Sequence, residues 1–292
     1  MDEKLTIDII SASYIGNPIS NTVMYISKKV EGLLSNLESA ENCLVFCEAS
    51  IDIPSKLNQQ HIFMRTSNPQ LDYAKFVYKL ANEKEQSNKN RKYILTDNGY
   101  YIGENVIIGR NSVIEPFCFI DHDVIIGDNA RIFSGAKIRN TIIGNNFIAG
   151  ENSVVGSYGF TMAKDENNNL VRIPTLGKVF IGNNVEIGML ANVSVGSAGN
   201  TVIDDYVKID AFTHIAHDVT LKSNVEIPAG VIIGGFDTIE SNAFIGINAT
   251  LRNRITIGEN SIVGMGSVVT KSVLANTIVV GNPAKPYQNN IN

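Results

Sequence analysis

The stretch IDDYVKIDAFTHIAHDVTLKSNVEIPAGVIIGGFDTIESNAFIGINATLRNRITIGENSIVGMGSVV, residues 203–269, decides the fold. An aliphatic side chain stands at every sixth position: Ile203, Ile209, Ile215, Leu221, Ile227, Ile233, Ile239, Ile245, Leu251, Ile257, Val263 and Val269. Neither a helix nor an ordinary strand ladder repeats every six residues. A hexapeptide period is the mark of a parallel β-helix, in which short strands stack coil upon coil around one apolar core. Two positions before each aliphatic residue the side chain is small or β-branched, as at Val207, Thr213, Val219, Val225, Ala243 and Ser261. Such side chains suit extended backbone and fill the space between stacked strands. Asp237 breaks that rule, and a distorted corner is expected there. Gly234, Gly246, Gly258 and Gly264 follow the repeated residue, where a tight bend calls for permissive φ.

The period extends upstream through Ile102, Ile108, Ile114, Ile120, Ile126, Ile132 and Ile138. One residue is then dropped before Ile143, Ala149 and Val155, and the pattern resumes at Ile181, Ile187 and Val193. In all there are about 25 hexads, or about eight coils of three hexads. The intervening segment, residues 156–180, cannot lie in the coil wall and is expected to project as a loop with a mobile polar tip over Lys164 to Asn169. Loops of this length in compact domains usually bind something, so Tyr158, Phe160 and Arg172 are candidate substrate contacts.

Residues 1 to about 81 follow other rules. Thr6 to Ser11, Thr22 to Ser27, Asn42 to Glu48 and His61 to Arg65 read as strands, and Lys28 to Leu37 and Leu71 to Ala81 as amphipathic helices. A small α/β domain over 1–97 is expected before a β-helix domain over 98–292. Residues 82–92, NEKEQSNKNRK, have the composition of a linker. Cys43 and Cys47 face one side of a strand and are read as packing.

Of 292 residues, 44% are hydrophobic and 18% charged, as in a water-soluble globular protein. The net charge of −5 gives no footprint for nucleic acid. Three cysteines make no disulfide framework. No signal-like start and no membrane-length apolar run are visible, so a cytoplasmic location is expected.

Histidine exchanges protons near neutral pH, and there are four. His61 reads as structural and His122, in Asp121-His122-Asp123, as a solvated corner. His214 and His217 lie in KIDAFTHIAHDVTL; with Ile215 inward, His217 falls at an outward corner beside Asp218 and near Asp210. It is a candidate proton acceptor, against the plainer reading of a surface histidine capping a turn. Zinc shared between His122 and His217 is excluded, because about four coils, roughly 19 Å, separate them, and zinc ligands must converge within about 2.1 Å of the metal. Corners recur every 18 residues, which aligns His217 with Gly235, Asn253 and Lys271. Gly235 is expected to leave an open groove above His217. Lys271, roughly 14 Å up the column, with Arg252 and Arg254, is placed to meet the phosphates of an extended pantetheine donor.

On these residues the coil resembles the hexapeptide-repeat acyltransferases. The segments NTVMYISKK, NPQLDYAKFVYKL, GFTMA…VRIPTLGKVFIGNNVEIG and KIDAFTHIAHDV are similar to the lipid A pathway N-acyltransferases that act on UDP-linked glucosamine. The resemblance implies a nucleotide-binding domain joined to a left-handed parallel β-helix, a homotrimer with sites between subunits, and His217 as the base. Three departures matter. The family's uridine-holding Asn and Tyr are not matched in ISKKV, which offers Ser27 and Val30. A second family histidine corresponds to Arg254. The chain ends soon after VVGNPAKPY, which contains Lys285, and that ending resembles the coenzyme A-dependent amino-sugar acyltransferases. The expected activity is therefore transfer of an acyl group from acyl-coenzyme A, without a metal, to the amine of a nucleotide-linked sugar for a surface glycan. The lipid A reaction with acyl carrier protein and a non-catalytic scaffold are the alternatives.

Overall fold

The computed structural model describes residues 8–287. They form two compact units, one taking the chain up to Asn90 with Gly159–Gly177 and Ser197–Gly199, the other taking Arg91–Tyr158, Lys178–Gly196 and the chain from Asn200 onward.

The first unit is built on a parallel sheet of β1 (Ser11–Ala12), β2 (Thr22–Ile26), β3 (Leu44–Glu48) and β4 (Ile62–Thr66), hydrogen-bonded in that order. Thr6 and Ile7, expected in the first strand, lie outside the described residues. Alternation along β3 divides the core. Cys43, Val45 and Cys47 pack on Met24, Ile26 and Leu37, while Leu44 and Phe46 pack on Tyr73, Ala74 and Val77 of helix α2 (Pro69–Asn88). Between β3 and β4 a short helix, α1 (Ser55–Gln60), adds Leu57 to the first of these clusters.

Helix α2 overruns the expected linker, because Glu, Lys and Gln after Ala81 are strong helix formers on an exposed face, with Lys79 and Glu83 one turn apart. The long insertion is likewise more than a loop. Met162–Lys164 pairs antiparallel with Leu170–Arg172, and Ala163 and Ile173 are buried against the α2 side of the sheet. Asn68, the N-cap of α2, and Gln70, on its first turn, donate to the carbonyls of Lys164 (3.1 Å) and Met162 (3.2 Å).

The second unit is the expected parallel β-helix. Its strands fall into three walls, and successive coils pair 18 residues apart, as in His214↔Ile232 and Ile232↔Thr250. Where one residue is dropped the pairing becomes Ile125↔Ile142, and across the two insertions it becomes Val154↔Asn192 and Asn192↔His214. The walls stay aligned because each insertion leaves at a corner. The repeated aliphatic residues form one continuous core from Ile114 to Val279.

Corners are turned by left-handed residues, and these are mostly Asn rather than Gly. Asn111, Asn129, Asn146 and Asn184 bond side chain to side chain in a ladder. The glycines after the repeated aliphatic residue serve closeness instead of positive φ. A Cβ at Gly234, Gly246 or Gly258 would lie 2.5, 2.6 or 2.3 Å from a backbone nitrogen of the next coil. The corner at Asp237 is regular too: Thr220 pairs with Thr238 and Thr238 with Thr256, and the carboxyl is simply enclosed.

Candidate active site

His217 stands at the corner after the wall strand His214–Ile215, and its neighbour Asp218 turns the corner at φ 60°. Only 15% of the imidazole and 3% of the carboxylate side chain are exposed, with Nδ1 and Oδ2 2.8 Å apart. A carboxylate accepts, so Nδ1 must donate, which leaves Nε2 of the neutral ring as a proton acceptor. The dyad is anchored from below. The Asp218 amide donates to Oγ1 of the fully buried Thr201 (3.0 Å), and that hydroxyl donates to the Ser194 carbonyl (2.7 Å). Phe236 meets the imidazole edge-on with centroids 5.1 Å apart, and the Arg254 guanidinium lies 4.0 Å over the Phe236 ring.

Two expectations change here. Asp210, offered as an alternative partner for the imidazole, stands at the preceding corner, where Oδ1 accepts from the Ala211 amide (2.7 Å). Gly235 does not open a groove: it seats the ring, since a Cβ there would lie 2.7 Å from Cε1 and 2.8 Å from Nε2 of His217.

The pattern Ile-x-His-Asp-Val occurs twice, at 120–124 and at 215–219, on the same kind of corner. At the first, Arg91 takes both oxygens of Asp123 and holds its carboxyl down at about 2, the Arg91 bond being the largest cause. His122 Nδ1 accepts from the Glu104 amide (2.7 Å), and its ring stacks on Tyr93 at 4.4 Å. With Nδ1 accepting, the neutral ring carries its proton on Nε2 and has nothing left to accept one. Burial, then a bond to Asp121, pushes Tyr93 up to about 12. The same five-residue pattern therefore yields one poised dyad and one structural corner.

The register places His217, Gly235, Asn253 and Lys271 in one column, with Arg252, Arg254 and Lys271 exposed on the coils above. Lys285 is exposed in the closing strand Lys285–Pro286. His214 faces outward from its wall, half-buried, and burial, then the charge of His217, lowers its pKa. Among the described residues no cluster of His, Cys, Asp and Glu could hold a metal. No helix among them is long and apolar enough to cross a membrane.

The family model described as bacterial transferase hexapeptide (six repeats) matches residues 99–140, 200–235 and 238–271. These segments all lie in the coil unit and carry its six-residue repeat. UDP-3-O-acylglucosamine N-acyltransferase from Methylorubrum populi is 31% identical over 53% of this chain and 44% of its own length. The protein of the same name from Coxiella burnetii is 31% identical over 71% of this chain and 64% of its own. The chain thus spans less than two thirds of the length of either relative. The solved UDP-N-acetylglucosamine acyltransferase from Campylobacter jejuni superposes with a TM-score of 0.59 over 66% of this chain and 73% of that one, at 23% identity. That likeness is one of fold, the left-handed parallel β-helix.

In the other unit, Ser27 precedes a 3-10 helix (Lys28–Ser39) with its hydroxyl uncommitted to the helix end. Arg172 donates to the Gly159 carbonyl (2.8 Å) and lies 5.4 Å from the centre of the exposed Phe160 ring. Tyr158 is exposed and belongs to the coil unit. His61 is structural: it is buried, accepts from the Cys43 amide, and burial lowers its pKa. Sequence reasoning missed a groove of about 720 Å³ beside α2, with Arg65, Lys75 and Lys79 around Phe46 and Phe76. Lys75 and Lys79, one helical turn apart, were its only trace in the sequence.

Proposed function

We propose that the protein is an N-acyltransferase that acylates the amine of a nucleotide-linked amino sugar. The observation that carries this is the His217–Asp218 dyad, an imidazole whose Nδ1 is committed to a buried carboxylate, so that Nε2 is the nitrogen with proton-accepting character. In the reaction the substrate nitrogen attacks the thioester carbonyl, so a C–N bond forms. His217 Nε2 takes the amine proton, the C–S bond breaks, and the proton passes to the departing sulfur. Asp218 keeps the proton-accepting nitrogen outward and stabilises the imidazolium. The Gly235 amide on the next coil is the candidate donor to the oxyanion.

Acyl-coenzyme A is the proposed donor. The exposed Arg252, Arg254 and Lys271 above the dyad suit its phosphates, with Lys285 a further cation. Lys271→Ala should raise the donor KM with little change in kcat, as loss of a remote phosphate contact removes binding common to ground and transition states. The first unit is proposed to recognise the nucleotide sugar, through Ser27, Phe160 and Arg172 or through the groove with Arg65, Lys75 and Lys79. The names of the relatives favour a second reading, the lipid A pathway reaction on UDP-3-O-acylglucosamine with acyl carrier protein as donor. An assay of thiol release with short acyl-CoA thioesters and a panel of amino-sugar nucleotides tests the proposal. Turnover with carrier-protein thioesters alone would shift the reading to the lipid A reaction. Neither binding nor release with any pair would leave a scaffold.

A homotrimer is part of the proposal. Leu190, Tyr206 and Phe212 hold the left-handed corner conformation that Asn or Gly holds elsewhere, and all three are exposed apolar side chains. Bulky residues at strained, exposed corners suit burial against a second copy. Phe236, at a corner of the same conformation, is instead committed to the imidazole. Light scattering should report about 95 kDa, three times 31.8 kDa; a monodisperse monomer would remove the shared-site part of the proposal.

A further inference from the structure

The core of the coil is apolar, yet it encloses the carboxyl group of Asp237. This residue is fully buried in the interior column between Val219 and Ile255. Oδ1 accepts from the Ile255 amide at 2.9 Å, whereas Oδ2 is buried with no partner among the described residues. Elsewhere in the coil the same service to a corner amide is done by a hydroxyl. Ser112 accepts from Ala130 (3.1 Å), Thr201 from Asp218 (3.0 Å) and Ser261 from Thr277 (3.3 Å). A hydroxyl does this without leaving a second oxygen stranded, so the amide bond alone does not account for a carboxyl here.

The position of the group is informative. Asp237 directly follows Phe236, whose ring packs on the imidazole of His217. The amide it holds directly follows Arg254, whose guanidinium covers that same ring. Its backbone neighbour and its hydrogen-bonded neighbour therefore carry the two side chains that wall the dyad.

We infer that Asp237 is a proton-linked positioning residue, whose neutral carboxyl holds the Phe236 and Arg254 turns against His217 and whose ionisation loosens that wall. Only the consequence for rate rests on the reading of His217 as the base. Interior neighbours of the carboxyl are Val219, Ile255 and the aliphatic faces of the walls. The titratable and charged groups on the adjoining turns are His217 and Asp218 below and Arg254 above. Burial is the largest influence and pushes Asp237 up to about 7, opposed by the amides of Ile255, Gly234 and Arg254. The folded state thus keeps a proton that the unfolded chain releases near 3.8. The stability this proton confers is fully present below that value and is lost as the pH rises to about 7.

The test needs two variants and no substrate. Asp237→Asn keeps an oxygen for the Ile255 amide and cannot ionise, while Asp237→Val matches the apolar column and removes both functions. Melting temperature is measured from pH 5 to 8.5 for all three proteins, with the His217 Cε1 resonance followed in 13C-histidine-labelled samples. The wild-type melting temperature should fall relative to both variants between pH 5 and about 7, the background from the other titrating groups being common to all three. The wild-type His217 resonance should differ from that of Asp237→Asn by one additional inflection near neutrality. Asp237→Val should displace the resonance at every pH. Equal slopes for wild type and Asp237→Asn would overturn the buried proton. Unequal slopes with superimposable His217 titrations would overturn the positioning role. If either variant fails to fold, the other still reads the slope. Where turnover is measurable, wild-type kcat should fall relative to Asp237→Asn above pH 7. Failure of the acyltransfer reading would leave the melting and resonance results untouched.

Discussion

His217→Asn lowers kcat by about 10²–10⁴-fold, the usual worth of a positioned general base, and leaves the melting temperature close to wild type. Asparagine is the informative replacement, because its Nδ2 can donate to Asp218 as Nδ1 does but it has no nitrogen that accepts a proton. His217→Ala should lose as much activity and some stability besides. Asp218 is 3% exposed at its side chain, and a buried carboxylate stripped of a partner costs about 1–3 kcal/mol or more. The contrast separates chemistry from support. In a competing mechanism the amine attacks unaided and hands its proton directly to sulfur. A His217→Asn enzyme within a few-fold of wild type would establish that route and leave positioning as the source of rate.

Gly235→Ala is expected to be nearly as damaging, although it adds one methyl group on the next coil. The new Cβ would lie 2.7 Å from Cε1 and 3.1 Å from Nδ1, so the imidazole must move. Asp218 holds one side of the ring and Phe236 the other, so any rotation breaks the Nδ1–Oδ2 bond or displaces Phe236. A misplacement of about 1 Å at a reacting group commonly costs about 10²-fold in rate. Single-turnover kinetics should show the loss in the chemical step with the fold intact by circular dichroism. Gly103→Ala is the control, a harsher one because its Cβ would press on the His122 backbone nitrogen as well as on Nδ1, both at 2.6 Å, at the corner where Nδ1 bonds an amide instead of a carboxylate. If both glycine variants are equally active, the seat beneath His217 has no bearing on rate.

The coil and its register were legible because a period of six leaves a mark that composition cannot hide. His217 was legible as a corner residue from its offset to Ile215. What surrounds it was not. Thr201 supports the Asp218 turn from the preceding coil within the regular 18-residue register, but the period marks the column and not which side chain bonds across it. Asp210 is close in sequence but lies at another corner, because six residues of coil are enough to turn through one wall. Periodicity alone could not tell His122 from His217, as their local sequences agree; the difference comes from Arg91 and Glu104, which sit outside the motif. In the first unit the end of α2 was misplaced because a polar helix face and a linker share the same residues.

Each coil pairs only with the coil before and after it, and that has a bearing on how the protein ages. Among the described residues the coil strands hydrogen-bond only to neighbouring coils, so wear by heat or proteases is expected to start at an end of the stack and advance one turn at a time. The dyad lies inside this stack, with the turns of Gly235, Asn253 and Lys271 following it. Those outer turns act as sacrificial cladding. A preparation can lose its last coil and still present an intact His217 corner, so its donor affinity would fade before its chemistry does.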